Sequence, residues 1–138
     1  MEKPVLIQIG DELPVWRKTF QPHDLVAYGA ATWDWHRSHY DKDWAAQRGL
    51  EKPIIDGQMY GGVVAQAVMA WAGPRGFIEK LSLNYRSIAF AGDSLQLSGK
   101  VSAIENTAET FVFVLSHRLS KRDAVIAEAM TRVRVPSR

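Results

Sequence analysis

At 138 residues, with 46% hydrophobic and 23% charged side chains, the chain is long enough for one domain with a real core and too apolar to be disordered. A formal net charge of +2 without a dense basic run argues against a nucleic-acid-binding arm. The absence of cysteine excludes disulfides, thiolate catalysis and cysteine-based zinc sites.

The opening stretch MEKPVLIQIGDELP has no long apolar run and no small-residue cleavage signal, so a cytoplasmic protein that does not associate with membranes is expected. Residues 1–14 read as an extended arm with apolar grip from Val5, Leu6, Ile7 and Ile9, and Gly10-Asp11 signals a turn. Residues 15–20 read as a first strand. Pro22 suits the first turn of a helix and Asp24 its positive end, so HDLVAYGAATW continues as a modest helix. The next segment, WDWHRSHYD at 33–41, is dense in aromatic and histidine side chains and has no period. It reads as a loop, partly helical. Asp41 is placed to cap a short helix, DKDWAAQR, which Gly49 ends.

Residues 53–74, PIIDGQMYGGVVAQAVMAWAGP, dominate the middle of the chain, with no charge between Gly57 and Gly73. The run is too short and glycine-rich to span a bilayer, which needs ~20 apolar residues. A helix over about 57–73, apolar on every side, is expected to be buried in protein. Its glycines and alanines make it thin, and Gly73-Pro74 stops it. The period then changes to two. Phe77, Leu81, Leu83 and Tyr85 share a face, as do Leu95, Leu97, Val101 and Ala103, then Phe111, Phe113, Leu115 and Leu119, then Val125, Ala127, Ala129, Val133 and Val135. Four half-buried strands follow, with turns at Gly92-Asp93, Glu105-Asn106 and Lys121-Arg122-Asp123. Connections of hairpin length predict an antiparallel sheet. The whole, residues 1–138, reads as a single α+β domain in which one sheet faces one buried helix.

The candidate chemistry lies in Asp34, His36, His39 and Asp41, followed by Asp56-Gly57. A carboxylate and an imidazole five residues apart in a loop can converge on one water molecule, and histidine exchanges protons near neutrality. The N–H groups at the start of the central helix can stabilise negative charge on an oxygen, and Gly57 lets a ligand approach the backbone. This combination suits chemistry beside a carbonyl, such as enolate formation. The bland alternatives are a turn residue at Asp34, a packed histidine at His39, a helix cap at Asp56 and a core or interface histidine at His117. His23 reads as a surface residue. A metal site built from Asp34, His36, His39 and Asp41 is not expected, because no single helical face gathers all four.

The segment TWDWHRSHYDKDWAAQRGLEKPIIDGQMYGG resembles the hydratase motif of MaoC-like acyl dehydratases, the (R)-specific enoyl-CoA hydratase group of the hot-dog superfamily. Asp34, His39, Asp41, Ala45, Gly49, Pro53, Ile54 and Gly57 fall on the motif, and Gly92 to Leu95 matches the Gly-Asp-x-Leu of a later family segment. Trp33, His36-Arg37, Asp56 and Ile88 depart from it. The resemblance implies a hot-dog fold, a sheet wrapped around the central helix, and a homodimer or higher homo-oligomer with its site at the subunit interface. It implies a hydro-lyase acting on a 2-enoyl thioester of coenzyme A or an acyl carrier. Asp34 and His39 would hold the water, the Gly57 N–H would meet the thioester oxygen, and no metal or redox cofactor would be required. His36, Arg37, Asp56 and Arg86 would bind substrate: Arg37 facing a distal carboxylate, and Arg86, with Lys121 and Arg122, the pantetheine phosphates. Trp33, Trp35 and Trp44 would crowd the pocket toward short or polar acyl groups. Two rivals remain open at this point, a hot-dog thioesterase using Asp56 as general base and a non-catalytic acyl-CoA-binding or accessory subunit.

Overall fold

The computed structural model describes residues 6–137. In chain order the elements are β1 (Trp16–Thr19), α1 (Pro22–Thr32), a 3-10 turn (Arg37–His39), α2 (Lys42–Gln47), α3 (Gly57–Ala72), β2 (Phe77–Tyr85), β3 (Ser94–Asn106), β4 (Thr110–Lys121) and β5 (Ala124–Pro136). The strands form one five-stranded sheet in the order β1-β3-β4-β5-β2, every pair antiparallel. One helix against one antiparallel sheet is the α+β arrangement the periods predict.

The local signals act as expected in most places. Pro22 sits in the first turn of α1, and the Asp24 carboxylate accepts the Gln21 N–H at 2.8 Å. Asp41 caps α2 by accepting the Asp43 and Trp44 N–H groups at 3.1 and 2.9 Å, and Gly49 follows with φ of +72°. Of the N-terminal arm, Val5 lies outside the described residues, and Leu6 and Ile9 are exposed while Ile7 packs on the core. The firmer anchor is Leu13, buried, with its N–H on Gly99 O at 2.8 Å.

Three expectations need correction. First, β2 and β3 are not a hairpin. β2 pairs with β5 at the far edge, and residues 86–93 cross between them. Hairpin reasoning sees connection length, but eight residues are enough to cross one end of a sheet. Second, the β3–β4 turn lies at 107–109, where Thr107 and Thr110 bond each other, so Glu105 and Asn106 are still paired within β3. Third, bulges break the strict alternation. The irregularity between Ile78 and Lys80 leaves Phe77 exposed and brings Ile78 to the core, and that between Val101 and Ala103 brings in Ile104.

The core lies between α3 and the sheet: Met59, Tyr60, Val63, Val64, Ala67 and Val68 from the helix against Leu95, Leu97, Val101, Leu115, Leu119, Ile126 and Val133. The helix is not enclosed by this chain alone. Gln58, Gly62, Gln66, Met69 and Ala70 lie exposed along one side, at the i, i+4, i+8 spacing of a single helix face. Among the described residues, no helix is long and apolar enough to cross a membrane.

Candidate active site

The site begins with a glycine that sequence reasoning passed over. Gly29 lies inside α1, where glycine costs about 1 kcal/mol relative to alanine. A Cβ at this position would lie 2.8 Å from the backbone oxygen of Asp34 and 3.6 Å from the Trp35 ring. Gly29 therefore lets the loop after α1 fold back flat on the helix. Trp33 turns the chain in the left-handed region at φ 58°, and Asp34 N–H bonds Gly29 O at 3.0 Å. The Trp33 ring is 81% exposed, so in this chain it does not crowd a pocket.

The following 3-10 turn carries His39 and is tied down at both ends. His36 Nδ1 accepts the Ser38 N–H at 3.3 Å and lies 2.7 Å from Ser38 Oγ, while its ring edge packs on Trp44. Arg37 spans to Asp41 with Nε and Nη2 at 3.0 and 2.8 Å. The approach to α3 is then stitched to this turn. Ile54 N–H bonds Ser38 O at 2.9 Å, and His39 Nδ1 lies 2.8 Å from Ile54 O. A carbonyl can only accept, so Nδ1 carries the hydrogen and Nε2 is the free ring atom. The other side of the approach is fixed by the crossover, with Ile55 N–H on Ala89 O and Ala91 N–H on Pro53 O, both 2.9 Å.

Asp56 caps α3, its Oδ1 accepting the Gln58 N–H at 2.9 Å, and its carbonyl accepts the Met59 N–H at 2.9 Å. No acceptor among the described residues takes the Gly57 N–H, so this group of the helix end is open to a ligand. Tyr85 of β2 lies against Gly57, its hydroxyl donating to Gly57 O at 3.2 Å, and a Cβ on residue 57 would sit 2.8 Å from Tyr85 Cε1.

These elements gather Asp34, His39 and Asp56 so that one polar atom from each lies within 4.8 Å of the others. Leu25, Tyr28 and Gly29 of α1 complete the lining of the narrow cleft that holds them. Asp34 accepts the His36 N–H at 3.3 Å, and this bond is the largest influence holding its carboxyl below the usual value. Burial and the two aspartates raise Tyr28, which stays a phenol O–H. The sequence sets Asp56 with this loop as a helix cap and substrate-binding residue, and the structure brings its carboxylate into one cluster with Asp34 and His39. Such a trio has the donor types of a divalent-cation site. Here, however, Asp56 Oδ1 is committed to the helix cap and His39 Nδ1 to Ile54. The arrangement sets three acid–base side chains beside a helix end whose Gly57 N–H has no acceptor among the described residues.

Of the remaining expected binding residues, His36 and Arg37 brace the loop and do not line the cleft. Arg86 is paired with Glu128 of β5 at 2.7 Å, and Lys121 with Asp93 at 2.7 Å. Tyr28, Gly29 and Tyr85 were missed. A glycine inside an otherwise good helix was the one local signal available for any of them. A roomier apolar hollow of about 640 Å³, lined by Ile104, Phe111, Phe113 and Val135, lies on the strands away from these groups.

Comparison with known proteins agrees with this fold. Residues 7–121 match the family model of the MaoC like domain. The beta subunit of a 3-oxo-4,17-pregnadiene-20-carboxyl-CoA hydratase from Mycobacterium tuberculosis is 29% identical over 98 residues, covering 71% of this chain and 76% of that one. The fold matches an (R)-hydratase from A. caviae involved in PHA biosynthesis at a TM-score of 0.87 and 20% identity, over 97% of this chain and 100% of that one. It also matches a chain of the ChsH1–ChsH2 complex from Mycobacterium tuberculosis at 0.85 and 22%, over 94% and 99%. The single domain has the hot-dog fold of these neighbours.

Proposed function

The chain belongs to the MaoC-like domain family, and from that premise we propose that it is a hydro-lyase, reversibly hydrating a 2-enoyl thioester to the 3-hydroxyacyl thioester. The observation that carries the reading is the placement of Asp34 and His39 beside the open Gly57 N–H at the start of α3. A water held between Asp34 and His39 Nε2 attacks C3. Asp34, held as a carboxylate, takes the water's proton as the C3–O bond forms. The electron pair of the double bond moves toward the thioester carbonyl, whose oxygen gains negative charge and is met by the Gly57 N–H. The proton that Asp34 took passes to the free lone pair of His39 Nε2, which delivers it to C2 as the carbonyl re-forms, so that both groups return to their starting state. Coenzyme A as the carrier is supported by the relative named as a CoA hydratase. Residues 1–138 act as one domain in this reading.

We further read the active form as an oligomer. β2 has nine residues and one unpaired edge, the kind of strand that proteins cover, and α3 leaves one face exposed. A homodimer joined along β2 would cover that edge. A heteromer does so equally, and a relative that is a beta subunit favours it as the second reading. Of the rival chemistries, hydrolysis by Asp56 is disfavoured because that carboxylate is buried and one of its oxygens is held by the helix cap.

The test is loss of enoyl absorbance from crotonyl-CoA, with free thiol measured in parallel. Asp34→Asn and His39→Ala are each expected to lower hydration by about 10²–10⁴-fold with unchanged circular dichroism. Full activity in either variant, or thiol release in place of hydration, ends the hydratase reading. Acyl-CoA binding without turnover, even at high protein concentration, would make the chain an accessory subunit.

A further inference from the structure

A groove leaves the cleft of Asp34, His39 and Asp56 at Tyr28. This α1 residue lines the cleft, and with Lys18, Phe20, Met59, Gly62, Val63 and Gln66 it also lines a second space of about 160 Å³ between β1, α1 and α3. Along α3 the lining runs from Met59 to Gln66, two turns and about 10 Å at the rise of a helix. A cavity of ~150 Å³ takes up a molecule the size of benzene, so the groove has room for about six heavy atoms. Gly62 keeps its middle clear. A Cβ there would meet nothing within 4 Å, so the fold itself does not require glycine, although glycine weakens a helix relative to alanine.

Lys18 gives the groove its chemistry. It stands opposite the buried Leu95 in the β1–β3 register, and Trp16, two residues earlier, packs on the core. Directly opposed residues share one face of a sheet, so Lys18 is a lysine on the helix side of the sheet. Its ammonium lies 5.6 Å from the centroid of the Phe20 ring, and no carboxylate among the described residues pairs with it. The rest of the lining is apolar or uncharged. An ammonium over such a groove without a counter-charge complements an anion that arrives with the ligand. We propose that the groove receives the substituent on C3 of the thioester and selects acyl groups that end in a carboxylate. Lys18 meets the distal charge, and Gly62 leaves the space the chain crosses. This deepens the hydratase reading and rests on it for the identity of the thioester. Arg37, expected from the sequence to face a distal carboxylate, is held by Asp41 and lines neither space.

The experiment is isothermal titration calorimetry of the full chain with butyryl-, heptanoyl- and pimeloyl-CoA. All three are saturated and cannot be hydrated, and a carboxylate in pimeloyl-CoA replaces the terminal methyl of heptanoyl-CoA. The wild type should bind pimeloyl-CoA about 5–10-fold more tightly than heptanoyl-CoA. Lys18→Met should abolish that preference and Lys18→Arg should keep it. Gly62→Leu puts a side chain into the groove and should weaken pimeloyl-CoA relative to butyryl-CoA by about 10-fold or more. Equal affinity for the seven-carbon pair in the wild type, a preference unmoved by Lys18→Met, or no binding at all would each overturn the proposal. So would a Gly62→Leu variant whose oligomeric state changes on size-exclusion chromatography while its affinity ratio does not, because the groove would then be a contact between copies of the chain. None of these outcomes depends on turnover. The carboxylate preference in a protein that hydrates no enoyl-CoA would keep the subsite and remove the hydratase. Hydration of crotonyl-CoA without the preference would do the reverse.

Discussion

His117 offers the sharpest test of the packing. It lies on β4 between Gly99 of β3 and Ala129 of β5, in register with Leu115 and Leu119. It is 5% exposed, and its Nε2 lies 2.9 Å from Oγ1 of the fully buried Thr131. Desolvation lowers the ring from 6.5 to about 4. The unfolded chain therefore binds a proton as pH falls below about 6.5, whereas the folded protein does so only near about 4. The neutral ring costs the fold nothing above this window. Stability is lost as pH falls through it, amounting to about 3 kcal/mol, and the loss levels off below. Urea denaturation at steps from about pH 7.5 to about pH 4, on wild type and His117→Gln, isolates the effect from the surface carboxylates, which both proteins share. The wild type should lose about 3 kcal/mol more than the variant between these limits. Parallel stability curves would show that the ring takes up its proton in the folded state, and the packing argument would fail.

Two further outcomes concern the site. In Gly29→Ala the new Cβ would meet the Asp34 backbone oxygen at 2.8 Å, and backbone cannot swing aside as a side-chain tip can. A destabilisation of about 1–3 kcal/mol in thermal denaturation should accompany a disproportionate loss of hydration, and an active variant would show that Asp34 does not depend on this contact. Dialysis against a chelator should leave hydration unchanged. Activity lost on chelation and restored by a divalent cation would make Asp34, His39 and Asp56 a metal site.

Local chemistry made much of this legible in advance. The Asp34–His39 spacing, the caps at Asp41 and Asp56, and the limits of α3 follow from short-range rules about helix ends and loops, and the structure obeys them. What escaped depends on which distant segments meet. β2 lies beside β5 because the crossover after it carries the chain past two strands, β5 and β4, to reach β3, and no local signal encodes the length of that step. Ile104 and Ile126 are core residues because bulges shift the alternation, which a strict period of two cannot register. Asp56 comes beside Asp34 because Gly29 admits the loop and Ile54 stitches the turn to the helix, contacts that no short-range rule carries. The exposed face of α3 was hidden for a related reason: apolar composition reports that a helix will be covered, not by which chain.

The sheet order has a consequence for how the site comes into being. Tyr85, the residue pressed against Gly57, belongs to β2, whose sheet partner in this chain is β5, with Tyr85 opposite Ala127. Asp34, His39 and Asp56 all precede β2 in the chain, yet the wall over the first turn of α3 is anchored only once the final strand has paired. Such long-range closure is slow relative to helix formation, so the acid–base residues should be clustered before the cleft is walled. Truncation within β5 would then leave a chain that still carries every reacting group and has no place to hold a substrate against them.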